Sequence, residues 1–131
     1  MQATLRRYIR QKAGNRCEYC RISQAIEPLL RFHIEHIQPV QHHGSDDPEN
    51  LALACPHCNF HKGTNIASID PATGKASPLF NPRQQQWEVH FRCDGPLVIG
   101  LTAIGRTTAA LLAFNAGDRI ELRQEVAAES D

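Results

Sequence analysis

The spacing of hydrophobic residues predicts a helix near the start of the chain. In ATLRRYIRQKAG, the apolar residues Leu5, Tyr8 and Ile9 recur at the spacing of one helical face. Gly14 follows as the residue expected to end the helix. We expect this face to join the hydrophobic core, because most helices in proteins are stabilised by packing an apolar face.

The stretch that follows predicts a strand, a loop, a second strand and a second helix. RFHIEHI carries the apolar positions of a short strand, and LALAC returns to apolar residues as a second strand. Between them, HHGSDDPEN is dense in turn-forming residues and predicts a surface loop. PHCNFHKG then predicts the first turns of a helix, with Pro56 at an early helical position.

The last third of the chain predicts a β-hairpin followed by helix. QWEVHFRC alternates between hydrophobic and polar residues, which predicts a half-buried strand with Cys93 on its buried side. GPLVIGLT predicts the antiparallel partner strand, joined through an Asp-Gly turn. GRTTAALLAFN predicts a helix, whereas the pattern of DRIELRQEV fits either a strand or a helix.

The length of 131 residues is that of one domain. We expect a single domain over residues 1–131, with a core at about 15–66 and a C-terminal extension at about 67–131. The extension is expected to begin as a surface excursion over residues 68–84, where prolines and glycines are frequent.

Composition indicates an ordinary globular chain, with 41% apolar and 21% charged residues. No apolar run approaches the roughly 20 residues that cross a bilayer. The first residues also lack the apolar segment of a secretory signal. We therefore expect a cytoplasmic location and no membrane partner.

Charge is balanced overall but uneven along the chain. Equal numbers of basic and acidic residues, 14 of each, argue against binding nucleic acid by bulk electrostatics alone. Residues 1–16, however, contain no acid and five basic residues, namely Arg6, Arg7, Arg10, Lys12 and Arg16. This basic end could contact phosphate or form a solvated helix face, and charge patterning favours neither.

Four of the five cysteines form two C-x-x-C pairs, Cys17 with Cys20 and Cys55 with Cys58. This spacing lets two thiolates of each pair bind one tetrahedral zinc ion. A disulfide framework is not expected in a reducing cytosol. A thioredoxin-like redox site is the main alternative, but it needs one such pair rather than two. We therefore expect a structural zinc ion.

Taken in order, these features resemble the HNH endonucleases over residues 17–63. The residues that carry the resemblance are CEYC, the pair Glu35–His36 with Pro39 after it, GSDDPENL and CPHCNFHKG. The resemblance implies an α+β fold: a small ββα-metal core with a structural zinc, an N-terminal helix and a C-terminal β-hairpin and helix extension. It also implies metal-dependent hydrolysis of phosphodiester bonds in DNA.

The resemblance gives catalytic roles to four residues. His36 would act as general base, since a histidine can deprotonate water near neutral pH. Glu35 and Asn59 would hold a catalytic divalent metal, with Mg²⁺ or Mn²⁺ expected for oxygen donors. Asn50 would orient the His36 ring through a hydrogen bond. Many relatives carry histidine where this chain has Asn59.

Three neighbouring residues are candidate DNA contacts. Lys62 lies three residues after Asn59 and so on the same helical face, whereas His61, two residues after Asn59, points away from it. His33 lies on the same strand face as Glu35 and could contact the scissile phosphate, or it could be an ordinary half-exposed strand residue.

Two other functions fit the same residues. A non-catalytic zinc module that binds nucleic acid or protein would need only the zinc ion, whereas a nuclease needs a second ion near Glu35. A thiol redox protein would form a reversible disulfide and bind no zinc. Because one site cuts one strand, a homodimer or a partner protein that supplies specificity is also expected.

Overall fold

The computed structural model describes the backbone of residues 1–130 and the side chains of residues 1–128. The chain forms two compact units. The first contains Met1–Ile66 and Asn81–Gln85, and the second contains Ala67–Phe80 and the residues from Gln86 onward. The single-domain organisation stays a prediction.

The first unit contains the helix–strand–strand–helix order predicted from the sequence. Its elements are α1 (Ala3–Lys12), β1 (His33–His36), β2 (Leu51–Ala54) and α2 (Pro56–Lys62). The two strands are antiparallel, with His36 opposite Leu51. All four residues of β2 are buried, whereas β1 is buried only at Glu35. β2 is therefore a core strand, and β1 leaves side chains accessible.

Helix α1 buries a narrower face than its pattern predicted. Ile9 is fully buried, but the Tyr8 side chain is 47% exposed. The helix ends before Gly14, which has a positive φ of 63° that favours glycine. The predicted end of the helix is confirmed, and the core contribution of Tyr8 is wrong.

Residues 81–85 belong to the first unit and contain Arg83, which binds the Glu18 carboxylate. The Arg83 Nη1 and Nη2 atoms donate to the Glu18 carboxylate at 2.7 and 2.8 Å. The same carboxylate accepts a hydrogen bond from the Leu53 backbone N–H at 2.8 Å. Because Glu18 lies within the first C-x-x-C motif, these bonds tie that turn to strand β2.

The second unit combines two hairpins with helices. Its elements are β3 (Ala67–Ile69), β4 (Ala76–Pro78), α3 (Trp87–His90), β5 (Phe91–Asp94), β6 (Leu97–Gly100), α4 (Ala103–Leu111) and α5 (Gly117–Ser130). β3 pairs with β4 and β5 with β6, both antiparallel. The α+β class is confirmed, and the undecided segment DRIELRQEV lies in α5.

The predicted strand over QWEVHFRC is wrong for its first half. Residues 87–90 form the one-turn helix α3, and the strand begins at Phe91. Trp87 and Phe91 are four residues apart, so a helical turn brings their rings together, with centroids 5.0 Å apart. Val89 is 55% exposed as a result. Cys93 is also exposed, which corrects its expected burial.

Residues 68–80 of the predicted surface excursion contribute instead to the core of the second unit, whereas residues 81–84 belong to the first unit. Residues 68–80 contain most of the β3–β4 hairpin, and Asp70 and Phe80 within them are buried. Arg106 donates to both carboxylate oxygens of Asp70 at 3.0 and 2.8 Å, which accounts for an acid in this position. Within residues 1–130, no helix is long and apolar enough to cross a membrane.

Candidate functional site

The four cysteines of the two C-x-x-C motifs converge in the first unit. Cys17, Cys20, Cys55 and Cys58 are buried, and their Sγ atoms all lie within 4.8 Å of one another. The Cys20 and Cys55 sulfurs are 3.7 Å apart. Four thiolates bound at about 2.3 Å to a tetrahedral zinc ion would lie about 3.8 Å apart. The cluster could therefore hold a metal such as zinc.

Local hydrogen bonds shape both turns of this cluster. The Cys20 backbone N–H donates to Cys17 Sγ, and the Cys58 N–H donates to Cys55 Sγ, each at 3.4 Å. Hydrogen bonds from the Cys17 and Cys55 thiols lower the pKa of Cys20, whereas burial raises the pKa of Cys17 and Cys58. The convergence of both pairs favours one shared ion over a redox pair, which uses a single C-x-x-C motif.

A cleft of about 260 Å³ in the first unit is lined by residues of β1, the following turn and α2. It brings together four of the residues predicted from the sequence: His33, Glu35, His36 and Asn59. Its remaining walls include Pro39 and Val40. Imidazole, carboxylate and amide groups thus share one small opening.

Glu35 lies between two buried donors. The Tyr19 hydroxyl donates to Oε1, and Lys62 Nζ lies 3.1 Å from Oε2. Lys62 Nζ also donates to the backbone carbonyls of His36 and Ile37, at 3.2 and 3.0 Å. Burial raises the pKa of Glu35, although the Lys62 charge opposes this effect. Lys62 is 2% exposed with three internal acceptors, so its predicted contact with DNA is wrong.

His36 is held by an acid from the surface loop. Its Nε2 atom lies 2.6 Å from Oδ1 of Asp46. The imidazole is 24% exposed and the Asp46 side chain 71% exposed. An ionised carboxylate can only accept a hydrogen bond, so the neutral ring carries its proton on Nε2 and its lone pair on Nδ1. The pair thus fixes both the ring and its tautomer.

Asn50 holds the loop and does not orient the His36 ring directly. Its Nδ2 donates to the carbonyls of Gln38 and Ser45, at 3.0 and 2.8 Å, and its Oδ1 accepts from the Gln38 N–H at 2.8 Å. Both amide protons are therefore used, and the predicted hydrogen bond to His36 is wrong. Asn50 instead fixes the carbonyl of the residue that precedes Asp46.

The hydrogen bonds of Asn50 to Gln38 and Ser45 bring the loop so close to Gln38 that position 44 requires glycine. A Cβ atom at Gly44 would lie 1.7 Å from the Gln38 carbonyl oxygen and 2.9 Å from Asn50 Nδ2. The GSDDPEN segment therefore has a physical explanation. Glycine allows the loop to approach, asparagine closes it, and Asp46 then reaches His36.

The other predicted polar residues divide into two groups. Asn59 is half-buried and His33 exposed, and within the described part of the chain neither side chain has a hydrogen-bond partner. His61 does not line the cleft, because its ring packs against His57 with centroids 4.1 Å apart. DNA contacts by His33 and His61 stay predictions.

The donors in the cleft suit a hard divalent cation. The Glu35 carboxylate and the Asn59 amide oxygen are ligands that Mg²⁺ accepts. A carboxylate has about four acceptor sites, and Tyr19 and Lys62 use one on each oxygen. Hydrogen bonds of this kind commonly orient a ligating carboxylate. The Lys62 ammonium already pairs with Glu35, so it would compete with a divalent cation for this carboxylate.

Sequence reasoning missed Tyr19 and Asp46. The signal for Asp46 was its position two residues after Gly44, in the loop that returns past the end of β1. Tyr19 lies between the cysteines of the first motif, and a buried tyrosine needs a partner for its hydroxyl. Neither position identifies its partner without the fold.

Comparison with known families gives one match. The model of the HNH endonuclease family matches residues 17–65. This segment contains the four cysteines, both strands and helix α2, and the predicted resemblance is confirmed over it. Searches of curated proteins and of solved structures gave no significant match.

Proposed function

We propose that this protein is a metal-dependent HNH endonuclease that hydrolyses phosphodiester bonds in DNA. The observation that carries the proposal is the cleft in which His36, oriented by Asp46, lies beside Glu35 and Asn59. A positioned base and oxygen donors for a cation are two groups that phosphodiester hydrolysis needs. The HNH match over residues 17–65 supports the same reaction class.

His36 is the general base. Asp46 holds the proton-bearing Nε2, so Nδ1 accepts a proton from the attacking water. Asn50 and Gly44 act one step further away, by fixing the loop that carries Asp46.

Glu35 and Asn59 would hold the divalent cation, with Mg²⁺ or Mn²⁺ expected. When bound, such an ion would supply Lewis-acid stabilisation of charge on the phosphate and the leaving oxygen. Tyr19 and Lys62 orient Glu35 from behind. His33 lies at the cleft wall, where an imidazole can donate a hydrogen bond to a phosphate oxygen.

A structural zinc ion in the cysteine cluster would hold this arrangement together. The cluster joins the Cys17–Cys20 turn, which supplies Tyr19, to the start of α2, the helix whose last residue is Lys62. The proposed zinc therefore keeps the donors of Glu35 in place. A cytoplasmic location and a homodimer or partner protein remain predictions.

The decisive experiment is nicking of supercoiled plasmid by the purified chain with Mg²⁺, Mn²⁺ or EDTA. We expect metal-dependent nicking by the wild type and its loss in His36→Ala, with about one zinc retained per chain. His42→Ala is the matched control, since His42 lies in the turn that follows β1 but does not line the cleft. If zinc-loaded wild type cleaves neither double- nor single-stranded DNA, the nuclease proposal fails.

One observation favours a non-catalytic zinc module as the second candidate. Glu35 already has a cation partner in Lys62, and a binding module needs no further ion there. Metal analysis separates the two functions. A binder retains only zinc, whereas the nuclease also binds an exchangeable Mn²⁺ that is lost in Glu35→Gln.

A further inference from the structure

A groove of about 360 Å³ lies on the first unit next to the cleft. Arginines from two segments line it, Arg6 and Arg10 of α1 and Arg31 before β1. An adjacent hollow of about 350 Å³ is lined by the same arginines and by Arg7. The groove therefore draws positive charge from residues 25 positions apart in the sequence, which the amphipathic pattern of α1 alone did not predict.

The groove meets the cleft at strand β1. His33 and Ile34 line both openings. A chain-like ligand that occupies the cleft can therefore continue into the groove across the same two residues. If the arginines of α1 only formed a solvated helix face, there would be no reason for them to line a groove that opens into the cleft.

The arginines are close together without an acidic partner. Arg10 has its pKa lowered by burial first and then by the neighbouring charges of Arg31 and Arg6. Within the described residues, no ion pair involves Arg6, Arg7 or Arg31. Grouped like charges oppose folding, and an anionic ligand relieves that repulsion.

One of these arginines is fixed in place. Arg10 Nη2 donates to the Phe32 carbonyl at 2.9 Å, which anchors the guanidinium against the residue before β1. Its Nε atom is buried and has no partner among the described residues. Arg6 and Arg31 are exposed, so their guanidinium groups are available to a ligand. Guanidinium forks match the oxygens of phosphate in a bidentate way.

We propose that this arginine groove binds the phosphate backbone of the DNA strand whose scissile bond lies in the cleft. The proposal rests on the nucleic-acid substrate of the proposed function and adds the path of the strand, from the cleft across His33 to α1. Local charge in this groove, rather than net charge, then supplies the electrostatic part of binding in a neutral chain.

The test is binding of a fluorescent duplex oligonucleotide in the absence of added divalent metal, measured by anisotropy from 50 to 200 mM NaCl. Arg6→Gln/Arg31→Gln removes two groove charges and no described structural contact. Lys75→Gln/Arg92→Gln is the matched control, because it removes two exposed charges from the second unit. Zinc content and thermal melting confirm that all variants are folded.

We expect the salt slope of the groove variant to be shallower by about 1.8, since each lost phosphate contact contributes about 0.9. Its affinity at 0.1 M NaCl would then be up to about 60-fold weaker than that of wild type. The control should bind within about threefold of wild type.

Two results would overturn the groove assignment: binding by the groove variant that equals the control, or no DNA binding by wild type at 50 mM NaCl. Nicking reports on the proposed function separately. Arginine-dependent binding without nicking would retain the groove and reject the nuclease. Nicking by wild type together with unchanged DNA binding by the groove variant would retain the nuclease and reject the groove.

Discussion

Each compact unit buries one carboxylate beside one cation, and the two pairs differ in their electrostatics. In the first unit Glu35 pairs with Lys62, and in the second Asp70 pairs with Arg106. Burial raises the pKa of Glu35, whereas hydrogen bonds from Arg106 hold the pKa of Asp70 at about 2. The carboxyl pKa is thus raised in the pair of the first unit and lowered in the pair of the second.

The difference follows from the number of donors and the access to water. Asp70 accepts two bonds from Arg106 and further bonds from the Ala72 N–H and the Thr73 hydroxyl. Arg106 remains 33% exposed. Glu35 has Lys62 and one hydroxyl, and its cation is 2% exposed. Desolvation therefore outweighs attraction only at Glu35, the pair that borders the cleft, where shifted pKa values are typical of functional sites.

The largest expected effect is a loss of stability in the first unit that leaves the second unit folded. Cys20→Ser breaks the cysteine cluster, and the first unit should lose about 10 kcal/mol or more of folding free energy with its zinc. Hydrogen exchange should then lose protection in β2 and α2. Fluorescence of Trp87, the single tryptophan, should stay native because it lies in the second unit.

Cys93→Ser is the control for this change, since Cys93 is exposed and outside the cluster. Simultaneous loss of the Trp87 signal in Cys20→Ser would contradict this prediction.

The next effect compares the two cations. Lys62→Met leaves Glu35 buried without its charge partner and should cost about 3–5 kcal/mol of the first unit's stability. Arg106→Met should cost the second unit less, because Asp70 keeps two other donors and Arg106 is partly exposed. Urea unfolding followed by hydrogen exchange measures both. Equal losses would show that burial does not distinguish the pairs, and Lys62→Met/Glu35→Met should recover much of the first loss.

A smaller effect concerns the acid that holds His36. Asp46→Asn removes the charge opposite Nε2 and should lower the nicking kcat about 10- to 100-fold. The KM for DNA should stay unchanged, because the role is to position the base. Asp47→Asn changes an adjacent exposed acid and should leave kcat intact. A similar loss in both variants would assign the effect to loop charge in general.

The smallest effect is the pH dependence of the two carboxylates. The pKa of Asp70 is about 2 in the folded chain against an ordinary 3.8, so its stabilisation is present above pH 3.8 and lost as pH falls toward 2. The folded pKa of Glu35 lies above its ordinary 4.5, so its contribution is lost as pH rises through the folded pKa.

Unfolding measured against pH tests these signs. Asp70→Asn should remove part of the acid-induced loss reported by Trp87. Glu35→Gln should gain stability relative to wild type as pH rises above 4.5, the ordinary pKa of the carboxyl, toward its raised folded pKa. A constant difference between wild type and either variant would contradict the corresponding assignment.

The sequence predicted the first unit well because its chemistry depends on short-range spacing. Two C-x-x-C turns, the Glu35–His36 pair and the GSDDPENL loop each fix local geometry, and the cysteines bring them together. The partners of side chains were less predictable. The sequence predicts a bond from Asn50 to the His36 ring and a DNA contact for Lys62, yet both side chains bond to backbone groups distant in sequence.

The second unit shows why an alternating pattern is a weaker guide. In residues 87–93 hydrophobic residues alternate, but Trp87 and Phe91 also satisfy the spacing of one helical turn. The aromatic contact between them selects the helix, and Cys93 is left on the surface. A contact between two aromatic rings of the segment thus decided between two patterns that its spacing allowed equally.

The bidentate bond between Arg83 and Glu18 has a consequence for modularity. It spans 65 positions and ties the first C-x-x-C turn to residues 81–85, which lie beyond the segment that matches the HNH family. A gene fragment that ended at residue 66 would encode every residue that lines the cleft and leave Glu18, 11% exposed, without its arginine. The segment that must be kept together is therefore longer than the family motif. A recombinant protein that contained the motif alone would need another cation to pair with Glu18.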